Sequence, residues 1–169
     1  MNSVSSSILS INELNNFFKK FNFKQDSKHI QEYISFIKEA SFYHQNIIHK
    51  FYDTKDNKLI GFVVLSTTKA VDNITGILIE FIYLKSEYRG MIDKIHQTKY
   101  SYLILDYVIE VAIKIQKEIA INHIYLVPIN DKVRTIYQKY GFENIPHSGN
   151  NKFEDYMVFN LLEEDFTIE

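Results

Sequence analysis

The sequence predicts an α/β (α+β) fold, a mixed sheet with helices on its faces. Two amphipathic helical stretches come first, and the apolar period then shortens to that of strands. Further on, a long helical stripe separates two short runs apolar enough to be buried on both faces. A strand, a covering helix and a second buried strand in that order make a right-handed crossover. The two strands around Ile82 and Val127 should therefore run parallel.

Each element has its own signal. Residues 11–23 place Leu14, Phe17, Phe18 and Phe21 at i, i+3, i+4 and i+7, and residues 29–42 repeat the pattern with Ile30, Tyr33, Ile34 and Ile37. Residues 47–52 and 59–65 read as strands joined by Asp53-Thr54-Lys55-Asp56-Asn57, a polar turn of hairpin type. Residues 76–84 are apolar almost throughout, broken by Glu80, as in a central strand covered on both faces. Leu103, Ile104, Tyr107, Val108, Val111, Ala112, Ile115 and Ile119 then fall on one helical stripe, with Asn122 as a stop signal. Residues 124–129 read as a second buried strand. Residues 131–140 read as a helix closed by Gly141, the residue that most easily takes the left-handed C′ position. Residues 153–161 read as a last strand. The Ser-rich residues 1–10 are expected to be the loose N-terminus of a single domain spanning residues 1–169.

A chain of 169 residues can bury a core without staples, and it has no cysteine. Disulfides, thiolate metal sites and cysteine nucleophiles are thereby excluded, and the composition suits a reducing compartment, so a cytoplasmic location is expected. His29, His44, His49, His96, His123 and His147 show no metal-ligand spacing, and no metal is expected. The start lacks the charge and apolar run of a signal peptide, and no segment approaches ~20 uninterrupted apolar residues, so no membrane association is expected. The formal charge of −2 gives no global pull toward nucleic acid. No Walker-type loop or dinucleotide fingerprint occurs.

Three segments carry chemistry together. The buried run Ile79-Glu80-Phe81-Ile82-Tyr83-Leu84 leads to Glu87-Tyr88-Arg89-Gly90, the long helix follows, and residues 130–142 then place Asn130, Val133, Tyr137 and Gly141-Phe142 at fixed intervals. Over residues 58–161 this series resembles the GNAT (GCN5-related) N-acetyltransferases. The resemblance implies a GNAT-like mixed, mostly antiparallel central sheet with splayed central parallel strands flanked by helices. It also implies acetyl-CoA as the acyl donor and transfer to a primary amine.

It assigns residues as well. The backbone of Ile82, Tyr83 and Leu84 would hold the thioester carbonyl, an amide there acting as an oxyanion donor. Arg89, Gly90 and the helix N-terminus at Lys99, Tyr100, Ser101 and Tyr102 would hold the pyrophosphate, since free amides and the helix dipole favour anions. The family's loop is Arg/Gln-x-x-Gly-x-Gly/Ala, and this sequence departs from it. About seven residues are inserted after Gly90 (residues 91–98), and the usual glycines fall on Lys99 and Ser101. Lys94, His96 and Lys99 bring side-chain charge to the altered loop. Pro128 would sit where the strands part, or would simply end a short strand. Asn130 would bond the pantetheine amide, or cap the next helix, or both. Tyr137 would be the general acid to the thiolate, its phenol being near enough in pKa to a thiol. Glu80, costly to bury unpaired, is the candidate base for the ammonium of the acceptor.

Three functions compete: an enzyme acetylating an amine of a small molecule or protein, a toxin-type GNAT acetylating aminoacyl-tRNA, and a non-catalytic GNAT-fold interaction module. The expected partner is an amine-bearing acceptor, with a homodimer allowed and nucleic acid confined to tRNA under the toxin reading. That reading has the opening segments Asn12 to Lys20 and Gly61 to Ser66 in its favour and the charge of −2 against it. The acceptor pocket would draw on the N-terminal helices and on loops at residues 67–74 and 146–153.

Overall fold

A computed structural model describes residues 4–23, 28–69, 75–145 and 155–161. Among these the helices are α1 (Leu14–Phe18), α2 (Lys28–Phe42), α3 (Tyr100–Gln116) and α4 (Asp131–Tyr140). The strands are β1 (Val4–Ile8), β2 (Ile47–Asp53), β3 (Leu59–Lys69), β4 (Thr75–Leu84), β5 (Ile92–Asp93), β6 (Thr98–Lys99), β7 (His123–Leu126), β8 (Glu143–Asn144) and β9 (Met157–Asn160). Seven of them form a sheet of order β1-β2-β3-β4-β7-β9-β8, and β5 and β6 make a separate hairpin.

The sheet is mixed and mostly antiparallel. β4 and β7 are the parallel pair, joined through α3 as the crossover rule requires. Their ladder runs from Gly76↔His123 to Ile79↔Leu126 and stops there, although β4 continues to Leu84. β7 ends at Leu126, two residues before the buried Pro128, which removes a donor from any further pairing.

The chain divides into two compact units, Met1–Ser66 with Phe81–Leu103, and Thr67–Glu80 with Ile104–Glu169. In the first, Phe17, Phe18 and Phe21 present their rings edge-on to Phe62 of β3, and Phe21 does so to Tyr83 of β4, at centroid distances of 5.1–5.6 Å. Such pairs favour edge-to-face geometry because ring faces are negative and ring edges positive. Ile34 and Ile37 of α2 join this core. The helix expected over residues 11–23 is shorter. After α1, Lys20 N–H and Phe21 N–H donate to Phe17 and Phe18 carbonyls in 3₁₀ fashion, and the tighter turn accompanies the seating of Phe21 on Phe62. Val4–Ile8, expected to be loose, is instead β1, paired antiparallel with β2 from Val4↔Asp53 to Ile8↔His49. Backbone hydrogen bonds order it, so the serine-rich side chains gave no sign of it.

In the second unit, Ile104, Val108 and Ala112 of α3 are buried as expected, and Leu105, outside the expected stripe, is buried beside them. Ile119, assigned to the same stripe, lies beyond the end of α3 and is exposed. Tyr125 of β7 packs with Ile145, Leu78, Tyr156 and Val158. Among the described residues no helix is long and apolar enough to cross a membrane.

Candidate active site

In the first unit the site begins at the end of β4. Tyr83 and Leu84 are buried and Ile82 is half-buried. β3 lies so close alongside that a Cβ on Gly61 would stand 2.1 Å from the Tyr83 carbonyl oxygen. Only a residue without a side chain allows this approach, and it fixes the Tyr83–Leu84 backbone against β3. Lys85 N–H donates to the Ile60 carbonyl at 2.9 Å and locks the same junction. Gly61 was not singled out as a site residue, although a lone glycine between Ile60 and Phe62 in an apolar strand signals close backbone approach.

Arg89 folds back over this segment. Its Nε donates to the Leu84 carbonyl at 2.8 Å, and its guanidinium lies 5.0 Å from the centroid of the Tyr83 ring. The side chain expected at the phosphate thus also clamps the exit of β4. Gly90 follows with φ of 76°, a left-handed conformation that a side chain would strain.

The inserted residues 91–98 form the β5–β6 hairpin, paired Ile92↔Lys99 and Asp93↔Thr98. Asp93, buried, organises its turn: one carboxylate oxygen accepts from His96 N–H at 2.7 Å and pairs with His96 Nδ1 at 2.8 Å. Gln97 completes the turn with φ of 53°, and its amide donates to the Lys94 carbonyl. His96, expected as charge near the phosphate, is engaged by Asp93. Asp93 itself was missed, though Asp-x-x-His with glycine absent is a turn signal that local hydrogen bonding explains.

β6 runs straight into α3. Tyr100 N–H donates to the Met91 carbonyl at 3.3 Å, so the first helical amide is already used by the hairpin. Tyr100 and Tyr88 meet edge-on at 5.1 Å, and desolvation holds both phenols above their usual range. Lys99 Nζ lies 5.7 Å from the Tyr102 ring centroid, and Ser101 is half-buried in the first turn. The amides of Ser101 and Tyr102 begin a helix of 17 residues.

The second unit holds Glu80, Asn130 and Tyr137. Glu80 is half-buried on β4, one residue past the last parallel pair Ile79↔Leu126. Asn130 caps α4, its Oδ1 accepting from Val133 N–H at 3.0 Å, which realises the capping role and leaves the amide NH₂ for another partner. α4 closes at Gly141, whose N–H donates to the Tyr137 and Gln138 carbonyls. Phe142 is buried and meets the Tyr137 ring edge-on at 5.8 Å. The Tyr137 hydroxyl makes no hydrogen bond among the described residues, and burial pushes its pKa up to about 12. It is therefore protonated throughout the physiological range, as a proton donor must be. Most of the loops assigned to the acceptor pocket (residues 70–74 and 146–153) lie outside the described residues.

The strand order, the truncated parallel ladder and the crossover helix define a GNAT fold. Among solved structures the chain is similar to the AtaTR complex bound with acetyl-CoA, at 12% identity over 95% of each chain with a TM-score of 0.71. It is similar to a tyrosine-to-phenylalanine mutant of KacT, at 9% identity over 95% of this chain and 96% of that one, TM-score 0.68. It is also similar to AtaT complexed with acetyl-methionyl-tRNAfMet, at 12% identity over 93% and 94% of the two chains, TM-score 0.67. No protein-family model and no curated protein matches the chain.

Proposed function

We propose that this chain is an acetyl-CoA-dependent N-acetyltransferase whose acceptor is the amino group of an aminoacyl-tRNA. The single observation that carries the reading is the end-to-end match of its GNAT fold to AtaT, whose solved structures hold acetyl-CoA and an acetylated aminoacyl-tRNA. Tyr137, whose hydroxyl has no hydrogen-bond partner among the described residues, stands at the position that the family pattern gives to the acid, which is consistent with the reading.

In the proposed reaction the acceptor's neutral amine attacks the thioester carbonyl and a C–N bond forms. Backbone amides along Ile82, Tyr83 and Leu84 receive the oxyanion. The C–S bond then breaks, the leaving thiolate takes the Tyr137 proton, and Glu80 accepts the proton lost by the nitrogen. The products are an N-acetyl amide and the free thiol of coenzyme A. Arg89, Gly90, Lys99 at the end of β6 and the first turn of α3 (Tyr100, Ser101, Tyr102) would hold the pyrophosphate end, and Asn130 would offer its NH₂ to the pantetheine.

The test is thiol release from acetyl-CoA against aminoacyl-tRNA, free amines and peptides. Fast release with aminoacyl-tRNA alone supports the full reading. Release with a small amine or peptide instead retains the transferase and discards the RNA acceptor. A second reading, a non-catalytic module, is favoured by the hairpin in place of the glycine loop. Calorimetric absence of acetyl-CoA binding up to millimolar concentration would favour it over the transferase.

A further inference from the structure

The peptide joining Leu84 to Lys85 is held at both ends. Its N–H donates to the Ile60 carbonyl of β3 at 2.9 Å, and its carbonyl, the Leu84 oxygen, accepts from Arg89 Nε at 2.8 Å. A trans peptide points its N–H and C=O in opposite directions, so the Arg89 bond lies on the side of β4 turned away from β3. The preceding peptide has the reverse sense. Its carbonyl, that of Tyr83, stands against Gly61 of β3, so the Leu84 N–H points away from β3, to the same side as the Leu84 carbonyl. By the alternation of a strand the Ile82 N–H shares that side and the Tyr83 N–H does not.

Of the three residues proposed for the oxyanion, Ile82 and Leu84 thus turn an N–H away from β3, and Arg89 grips the carbonyl of one of them. A hydrogen bond from a charged donor is stronger than a neutral one. The guanidinium is held a second time, 5.0 Å from the centroid of the Tyr83 ring. That ring is fixed in turn, stacked on Phe62 at 5.6 Å and edge-on to Phe21 at 5.5 Å. The contact to Leu84 needs only an N–H at the ε position of the side chain.

We propose that Arg89 is a positioning residue for acyl transfer: through the Leu84 carbonyl it fixes the tilt of the last peptides of β4 and so aims the Leu84 N–H at the thioester oxygen. The inference rests on the transferase reading and gives Arg89 a part in the chemical step besides its charge near the pyrophosphate. Misplacing such a donor by about 1 Å can cost ~10²-fold in rate, so a loosened strand end should be visible in turnover.

Thiol release from acetyl-CoA by the full chain, with aminoacyl-tRNA, a free amine and a peptide offered as acceptors, tests this through two substitutions. Arg89→Gln keeps an N–H donor at the ε position and loses the charge, whereas Arg89→Lys keeps the charge and puts a methylene there. In Arg89→Lys, kcat should fall ~10-fold while KM for acetyl-CoA stays within about twofold of the parent. In Arg89→Gln, kcat should stay within about threefold, and any rise in KM belongs to the lost charge. Thermal midpoints show that each variant is folded; should Arg89→Lys not fold, Arg89→Met, which also lacks a donor at that position, takes its place. A folded Arg89→Lys with parental kcat overturns the proposal, as does an Arg89→Gln as slow as Arg89→Lys. A parent inactive toward every acceptor overturns the transferase reading and the proposal with it, an outcome distinct from an active parent with an active Arg89→Lys.

Discussion

The Tyr140 hydroxyl donates to the Asp106 carboxylate, tying the last turn of α4 to the first turns of α3. α4 carries Tyr137 one turn earlier, so this bond steadies the helix that presents the proposed acid. The pair is partly open to solvent, so its net worth is small, and Tyr140→Phe should cost under about 1 kcal/mol. Urea denaturation of parent, Tyr140→Phe, Asp106→Asn and the double variant forms a cycle. Strictly additive single effects would remove the coupling.

Tyr137→Phe keeps the ring against Phe142 and removes the phenolic proton. Stability should stay within about 0.5 kcal/mol, because the lost hydroxyl has no partner among the described residues, while turnover falls by ~10²-fold or more. The raised phenol pKa also sets a sign. The unfolded tyrosine ionises near its ordinary 10, whereas the folded one resists until about 12. Between those values the unfolded chain binds fewer protons, and the Tyr137 contribution to stability is lost as pH rises through the window. Tyr137→Phe should flatten that alkaline loss. Glu80→Gln should instead abolish the rising acid limb of the rate profile and leave coenzyme affinity unchanged.

Gly61→Ala would drive a methyl group into the Tyr83 carbonyl, which lies on backbone and has nowhere to yield. The cost should be at least ~2 kcal/mol of stability. Because the displaced segment is the proposed thioester grip, acetyl-CoA affinity measured calorimetrically should fall by more than the loss of folded protein accounts for. An alanine variant of parental stability and affinity would refute the close approach.

Acidification should weaken the fold through two histidines. Burial holds the His49 and His123 imidazoles below the ordinary 6.5, and the buried His123 Nδ1 has no hydrogen-bond partner among the described residues. Below about 6.5 the unfolded chain takes up protons that the folded chain refuses, so the stability present above that pH is lost as pH falls. The urea midpoint should drop between neutral pH and pH ~5, and His49→Gln should reduce the slope. A pH-independent midpoint would contradict this.

The sequence by itself determined the periodic elements and their order. Phe17, Phe18 and Phe21, the α3 stripe, the apolar β4 and the Asn130 to Gly141 helix are set by local spacing, caps and hydrophobic period, all of which act over a few residues. The pattern around Tyr137 was legible for the same reason. The tertiary structure decided what depends on a partner distant in the chain. β1 is a strand because β2 supplies its hydrogen bonds, Gly61 matters because the Tyr83 carbonyl arrives beside it, and Arg89 turns back onto Leu84 once β4 has ended there. The insertion after Gly90 becomes a hairpin through a buried Asp93 that holds His96, and the partial burial that raises the Tyr137 pKa falls on a phenol that the sequence shows as one aromatic among many. Backbone pairing and desolvation leave no mark on side-chain periodicity, so only the folded chain reveals them.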